Sequence, residues 1–200
     1  MVLASFFEGK KGYKGFYVDV GAHHPYRFSN TNFFYKKGWR GINIEPTPEG
    51  IKAFNLFRRR DINLNIGVSA KSGKLKFYCF NDAALNGFSK EISEDRNNRA
   101  NKYKITKEID VETHPLSYLL DKYLPEGQQI DFISIDVEGL DLEVLQSNNW
   151  EKYKPLYIAV EDSINFTTLT DSPINDFLQK QGYQIVAKTL RTLFFKKVAG

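Results

Sequence analysis

The sequence has little that would direct the chain into an oxidising compartment or a membrane. It contains one cysteine, Cys79, so no disulfide can form within the chain, which favours a reducing compartment. It has no apolar run long enough to cross a bilayer. The apolar residues 1–7 lack the basic start and the small-residue cleavage pattern of a signal peptide. These absences predict a cytoplasmic protein without a membrane span.

A strong excess of charge of one sign is also missing. The 28 Lys and Arg residues against 24 Asp and Glu residues leave a net charge of +4, which is too small to indicate a nucleic-acid partner. The basic residues form short clusters, which we interpret as solvated helix ends and loops: Lys10, Lys11 and Lys14, then Lys36 and Lys37, then Arg58, Arg59 and Arg60. The oligomeric state has no comparable signal in the sequence.

The composition is that of an ordinary globular protein. Hydrophobic residues make up 42% and charged residues 26% of the chain, which predicts a folded protein. A length of 200 residues is enough for one compact domain and short for two, so we predict a single domain over residues 1–200. The polar residues 81–104 are the least core-like part, and we interpret them as an insertion or a lid.

Strand-like and helix-like segments alternate along the chain. The strand-like segments are residues 16–20, 41–45, 62–68, 75–80, 109–112, 130–137 and 156–160. Helix-like segments such as 48–59, 115–123 and 173–181 separate several of them, which predicts an α/β fold with a doubly wound, mostly parallel sheet. The last two strands, 183–187 and 193–198, are too close in sequence for a crossover helix, so we predict an antiparallel C-terminal hairpin.

The first two predicted strands end in a glycine turn and a carboxylate. Asp19 and Gly21 close the first strand, and Glu45 closes the second. Ligands of open parallel sheets bind outside the carboxyl ends of the strands. A glycine there lets the backbone approach a ligand, and an acidic residue about 20 positions further on can accept hydrogen bonds from both hydroxyls of a ribose. This order favours a nucleoside site over a plain turn followed by a helix-flanking charge.

The turn lacks the further glycines of a dinucleotide site. Gly21 is followed by Ala22 and His23, whereas the G-x-G-x-x-G pattern lets a pyrophosphate approach the helix. A ligand without phosphate does not need those glycines, and S-adenosylmethionine is such a ligand. We therefore predict S-adenosylmethionine as the cofactor. A nucleotide-dependent oxidoreductase on a related fold and a non-catalytic nucleoside-binding domain are the alternatives.

Four stretches also make the sequence similar to a known family. They are FYVDVGAHHP at 16–25, SNT at 29–31, GWRGINIEP at 38–46 and IDFISIDVEG at 130–139. In this order they resemble the FkbM-type methyltransferases, a branch of the class I S-adenosylmethionine-dependent methyltransferases. The resemblance implies a seven-stranded sheet with the antiparallel final hairpin. It also implies methylation of a hydroxyl oxygen on a sugar, glycan or natural product.

The resemblance implies roles for individual residues as well. Asp19 and Gly21 belong to the cofactor loop, and Glu45 to the ribose hydroxyls. Ala22 and His23 follow in the same loop and are assigned to the cofactor with them. Asp136, near the end of the strand 130–137, is assigned to the place where cofactor and acceptor meet.

Methyl transfer to an alcohol requires a base that takes the hydroxyl proton. Our candidates are His23, because a histidine titrates near neutral pH, and the carboxylates Asp136 and Glu138. The two carboxylates are two positions apart, so on a strand they share a face, where one would raise the pKa of the other. Helix capping is the alternative role for this pair. His24 and Glu161 are further candidates, and we expect at most one of the two histidines to be catalytic.

Oxygen ligands at two predicted strand ends would also suit Mg²⁺. They are Asp136, Glu161, Asp162 and Asn165. Separate helix caps and salt bridges account for these residues better, so we assign no metal to the protein.

Overall fold

The computed structural model of the chain describes residues 2–9 and 12–198. Its helices are α1 (Val2–Ser5), α2 (Asn32–Lys36), α3 (Pro48–Phe57), α4 (Lys90–Asn98), α5 (Leu116–Tyr123), α6 (Asp141–Gln146) and α7 (Pro173–Lys180). Its strands are β1 (Phe16–Val20), β2 (Arg40–Ile44), β3 (Ile62–Leu64), β4 (Gly67–Val68), β5 (Gly73–Phe80), β6 (Ile105–His114), β7 (Phe132–Ile135), β8 (Tyr157–Glu161), β9 (Tyr183–Lys188) and β10 (Thr192–Lys197). Two short 3₁₀ segments, Ala83–Leu85 and Phe166–Asp171, complete these elements.

Seven of the strands form one sheet in the order β3-β2-β1-β7-β8-β10-β9. Strand β1 is parallel to both of its neighbours, β2 and β7, while β10 is antiparallel to β8 and β9. The prediction of a mixed α/β fold with an antiparallel C-terminal hairpin is therefore confirmed. The chain passes from β1 to one side of the sheet and later returns to β7 on the other side. This reversal between β1 and β7 is the place where α/β sheets open a crevice for ligands.

Strand β1 lies at the centre because its side chains are buried on both faces. Val18 belongs to a hydrophobic cluster with residues of α5, α6 and α7, such as Leu119, Val144 and Leu178. Its neighbour Tyr17 belongs to a second cluster, to which Phe34 of α2 contributes. Consecutive residues of a strand point to opposite faces, so one short strand joins both cores. The end of β1 is therefore held firmly from both sides.

A second sheet, β4-β6-β5, was not predicted. The single strand predicted over 62–68 is wrong, because the chain there forms β3 in the large sheet and β4 in the small one. The short strand predicted over 109–112 is wrong in length, because β6 runs from Ile105 to His114 and pairs antiparallel with β5. Exposed charged residues along most of β6 hide the alternation of its apolar residues.

Residues 81–104 contain the 3₁₀ segment Ala83–Leu85 and α4. Ser89 caps α4 by accepting a hydrogen bond from the Ile92 amide at 3.3 Å. Arg96 of α4 forms an ion pair of 2.9 Å with Glu138, which follows β7. The polar segment is thus tied to the carboxyl end of the large sheet.

The basic clusters differ from their interpretation at one residue. Lys10 and Lys11 lie outside the described residues. Arg59 and Arg60 are exposed as expected, but Arg58 is completely buried, so the interpretation of 58–60 as a solvated cluster is wrong for Arg58. It forms an ion pair of 3.0 Å with the equally buried Asp61, which makes its burial possible. Among the described residues, no helix has the length and apolar character needed to cross a membrane.

Candidate active site

A cavity of about 1010 Å³ opens at the carboxyl ends of β1, β2, β7 and β8. Its size is at the upper end of the range of about 300–1,000 Å³ that small-molecule sites occupy. All the residues predicted for the site line this cavity: Asp19, Gly21, Ala22, His23, Glu45, Asp136 and Glu138. The parallel strands bring them together because they end at the same edge of the sheet.

The glycine turn is tightly packed against the end of β7. Gly21 has a φ of +75°, and a Cβ at this position would overlap the carbonyl oxygen of Asp136. The amides of Gly21 and Ala22 both donate to the carbonyl of Ile44, at 3.1 and 3.0 Å. The glycine is therefore required by the contact between β1 and the residues after β7, and these two amides are bound to β2.

Glu45 is buried beneath the turn and organises it. Its Oε2 accepts a hydrogen bond from the His23 amide at 2.9 Å. Its Oε1 accepts from the amide and the hydroxyl of Thr47, at 2.8 and 2.5 Å. Burial raises the pKa of Glu45, although these hydrogen bonds act in the opposite direction. A carboxylate offers about four lone-pair positions, so three protein donors leave about one for a ligand hydroxyl.

Asp19 is the second buried carboxylate of the cavity wall, with 4% of its surface exposed. Its Oδ2 accepts a hydrogen bond of 2.7 Å from the hydroxyl of Thr31. Burial raises the pKa of Asp19 to about 6, while the bond from Thr31 and the nearby Arg58 partly oppose this rise. Asp19 is therefore mostly ionised at neutral pH and can pair with a cationic group.

The two histidines after the glycine turn have different environments. The Nδ1 of His24 accepts hydrogen bonds of 3.1 Å from the amides of both Tyr26 and Arg27, so this ring holds the loop. His23 has a φ of +55°, an unusual value for a residue other than glycine, and its half-buried ring lines the cavity. Burial lowers the pKa of His23, so its imidazole is mainly neutral near pH 7 and can accept a proton.

Three carboxylates of the cavity wall meet at the end of β8 and in the turn after β7. One carboxylate oxygen from each of Asp136, Glu138 and Glu161 lies within 4.8 Å of the other two. Strand β7 ends at Ile135, so the alternation of strand faces does not explain this pairing. It arises because Glu138 adopts a φ of +54° in the turn that follows the strand. The pair does not cap α6, whose N-cap residue is Leu140, and the amides of Val137 and Gly139 in that turn donate instead to Asp141, at 3.2 and 3.1 Å.

The three carboxylates differ in their availability to a substrate. Loss of water and repulsion from Asp136 and Glu138 raise the pKa of Glu161 to about 8. Asp136 is exposed in the open cavity, yet the surrounding protein and the charge of Glu138 still raise its pKa. Glu138 is held by Arg96 at 2.9 Å, which ties its charge to the segment 81–104. Asp136 and Glu161 are therefore the carboxylates best placed to exchange a proton.

The four residues considered for a metal do not converge. Only Asp136 and Glu161 belong to the carboxylate group described above. Asp162 accepts a hydrogen bond of 2.6 Å from the Ser172 hydroxyl and one of 2.9 Å from the Ile164 amide, so it organises the loop after β8. Asn165 is exposed and precedes the second 3₁₀ segment. The four residues that the sequence suggested as one metal site therefore lie in different places, and only Asp136 and Glu161 are close together.

Two parts of the cavity wall were not predicted. The first is an apolar wall from the small sheet, formed by Val68, Phe77 and Cys79. The aromatic residues around the polar segment 81–104 were its only signal in the sequence. Arg191, in the turn between β9 and β10, lines both this cavity and an adjoining one of about 470 Å³. The two cavities also share Glu138 and Glu161.

Comparison with known proteins identifies the family of the chain. The family model described as "Methyltransferase FkbM domain" matches residues 19–185. Among solved structures, the chain is similar to precorrin-6Y C5,15-methyltransferase from Geobacter metallireducens GS-15. The two are 13% identical, with a TM-score of 0.44, over 92% of this chain and 80% of that chain. No curated protein matches the sequence.

Proposed function

Because this chain belongs to the FkbM methyltransferase family, we propose that it transfers a methyl group from S-adenosylmethionine to a hydroxyl oxygen of a sugar, glycan or natural product. The family match over residues 19–185 supports methyltransferase activity. One observation carries the finer proposal. A single cavity is lined by buried carboxylates suited to a nucleoside and a cation and by a proton-accepting carboxylate pair.

The residues of the cavity wall fit the parts of the cofactor. Phe77 and Val68 provide an apolar surface for a planar base, and Glu45 has a lone-pair position for one ribose hydroxyl. The ionised Asp19 suits the ammonium group of the amino-acid portion. When bound, the cofactor supplies a sulfonium-activated methyl group. The two buried carboxylates in the wall would repel the negatively charged phosphates of a dinucleotide, and this repulsion disfavours the oxidoreductase alternative.

Asp136 and Glu161 are the residues that we propose as the base. A hydroxyl placed between them donates its proton to Glu161, whose pKa of about 8 makes it a better acceptor than an ordinary carboxylate. Asp136 orients the hydroxyl by accepting a hydrogen bond. Glu138 acts mainly by holding Arg96, and His23, which lines the same cavity, is the alternative base. A pH profile of kcat that rises through about 8 and is lost in Glu161→Gln supports the pair.

The adjoining cavity is the proposed entry of the acceptor. It is lined by carboxylates and by the guanidinium groups of Arg96 and Arg191, a combination that suits an acceptor with several hydroxyls. The segment 81–104 is proposed to act as a lid of a single domain, since it borders both cavities. Hydrophobic clusters on both faces of the large sheet support the doubly wound arrangement. The single cysteine favours a cytoplasmic location.

Calorimetric titration with S-adenosylhomocysteine, the demethylated product, tests the cofactor. We expect saturable binding to one site per chain, and an absence of heat at high concentration contradicts the proposal. Transfer of a labelled methyl group across a panel of glycosides and polyols tests the reaction. Binding without transfer to any acceptor favours the non-catalytic alternative, whereas enhanced nicotinamide fluorescence favours the oxidoreductase.

A further inference from the structure

Arg58, which follows α3, is a charged side chain with none of its surface exposed. Its Nε donates to Asp61 at 3.0 Å, and one terminal nitrogen, Nη1, donates to the carbonyl of Pro25 at 3.1 Å. The other, Nη2, donates to the hydroxyls of Tyr17 and Thr31, at 2.7 and 2.9 Å. Every branch of the guanidinium group therefore has a partner.

These contacts go beyond what neutralising the charge requires. Asp61 alone balances the charge of Arg58, and its own oxygens also accept bonds from the Gly41 amide and the Asn43 side chain. The contact with Pro25 connects Arg58 to the loop after Gly21. The contact with Thr31 connects it to Asp19 in the wall of the large cavity. Arg58 thus joins the end of α3 to the two segments that shape the proposed cofactor site.

The direction of the hydrogen bonds through Thr31 is determined by chemistry. A guanidinium group only donates, so the Thr31 oxygen must accept from Arg58. Its single proton is then available to Asp19, to which it donates at 2.7 Å. The chain of bonds therefore runs from Arg58 through Thr31 to Asp19. A carboxylate that receives such a bond is favoured in its ionised form.

We infer that Arg58 and Thr31 are positioning residues, which hold the Asp19 carboxylate in the cavity wall, ionised and oriented to receive the ammonium group of the cofactor. This inference rests on the proposed function. Neither residue is among those that line the cavity, so both act through Asp19.

The charges around Asp19 explain why it needs this support. Arg58 faces it from the end of α3, Asp136 from the end of β7 and Glu45 from the end of β2. The two carboxylates and the burial of Asp19 disfavour its charge, while Thr31, Arg58 and the Ser134 hydroxyl favour it. Loss of the Thr31 hydroxyl therefore raises the pKa of Asp19 towards neutral pH.

Thr31→Val tests the inference without leaving a charge unpaired. Valine has nearly the shape of threonine, and Arg58 keeps Asp61, Pro25 and Tyr17 as acceptors. Affinity for S-adenosylhomocysteine is measured by calorimetry between about pH 5 and pH 9. We expect the wild-type affinity to fall as the pH drops through about 6. In Thr31→Val this midpoint moves up by about one unit, so that at pH 6 binding is roughly 5- to 10-fold weaker than in the wild type.

Matched variants separate positioning from general damage. Thr31→Ser keeps the hydroxyl and restores the wild-type profile. Thr113→Val removes another fully buried hydroxyl, one without a hydrogen-bond partner among the described residues, and keeps the profile unchanged. Asp19→Asn binds weakly at every pH and loses the midpoint near 6. A wild-type pH profile in Thr31→Val overturns the inference.

A second measurement keeps the outcomes distinguishable. Carboxyl NMR titration gives the pKa of Asp19 directly, without any ligand. If the wild type does not bind S-adenosylhomocysteine, the proposed function fails, and with it the ammonium contact. The positioning role of Arg58 and Thr31 is then tested by NMR alone. A higher pKa of Asp19 in Thr31→Val supports this role, and an unchanged pKa refutes it.

Discussion

Glu45→Gln is the substitution that most directly tests the proposed cofactor site. The amide has the shape of the carboxylate but exchanges one acceptor oxygen for a donor. The carbonyl oxygen of the glutamine can take the place of Oε1, which accepts hydrogen bonds from the Thr47 amide at 2.8 Å and from the Thr47 hydroxyl at 2.5 Å. Its NH₂ group then faces the His23 amide, another donor, which now bonds to Oε2 at 2.9 Å. The His23 turn therefore loses its anchor.

The magnitude follows from the bonds that are lost. A hydrogen bond to a charged group contributes about 1.5–3 kcal/mol, and the ribose hydroxyl loses such an acceptor in the variant. This corresponds to binding of S-adenosylhomocysteine that is roughly 10- to 150-fold weaker. The folded state loses the bond from His23 but no longer buries a charge, so we expect it to be destabilised by only about 1 kcal/mol.

Calorimetry at pH 7.5, with urea unfolding of the same samples, separates the two effects. Glu112→Gln is the matched control, because Glu112 is exposed, pairs with His114 and does not line the cavity. We expect it to bind the ligand with the wild-type affinity. If Glu45→Gln also binds within about threefold of the wild type, Glu45 serves only to hold the turn and to orient Thr47, and our placement of the ribose is wrong.

Gly50→Ala should weaken S-adenosylhomocysteine binding measured by calorimetry, because the new Cβ would lie 2.7 Å from the Cγ of Glu45; unchanged affinity would show that Glu45 can shift freely. Glu161→Gln should abolish labelled-methyl transfer while cofactor binding persists. The pKa of Glu161 is raised from 4.5 to about 8, so its contribution to stability is complete below about pH 4.5 and is lost as the pH rises through 8. Urea unfolding should therefore find Glu161→Gln more stable than the wild type at pH 9, by about 1–2 kcal/mol after allowing for solvent screening, and similar to it at pH 5. Arg96→Met should speed amide hydrogen exchange in α4 by breaking the ion pair with Glu138, with a change of less than about 1 kcal/mol in global stability; unaltered exchange would show that the ion pair does not hold the segment. Excess EDTA should leave methyl transfer unchanged, and a loss restored by Mg²⁺ would assign a metal to the carboxylate group.

Local signals predicted the parts of the fold that depend on neighbours in sequence. Thr47, which directly precedes Pro48, caps α3 by accepting a hydrogen bond of 3.2 Å from the Gly50 amide. The link between β9 and β10 allowed only an antiparallel pair. The ends of β1 and β2 carried the glycine and the carboxylate, and both line the large cavity. In each case the deciding interaction spans a few residues or follows from strand direction.

The small sheet could not be predicted in the same way. Strands β5 and β6 are separated by residues 81–104, and β6 is mostly exposed, so neither segment shows a strong apolar period. Their pairing is a contact between distant parts of the chain. The apolar wall that they give to the cavity therefore had no clear signature, although Phe77 and Phe80 were visible as aromatic residues.

The alternation of strands and helices, the final hairpin and the residues at the strand ends could be predicted from the sequence, because they depend on periodicity, chain direction and link length. The folded structure was needed to show which charges are buried and which of them lie close together. Arg58 and Arg59 are neighbours of the same charge, yet one is enclosed and the other exposed. Burial and repulsion from Asp136 raise the pKa of Glu161, whereas the pKa of Asp136 is raised by burial and by Glu138 and is lowered by its hydrogen bond with Glu161 on the next strand. Burial and electrostatic coupling depend on distances in space, and residues far apart in the sequence set those distances.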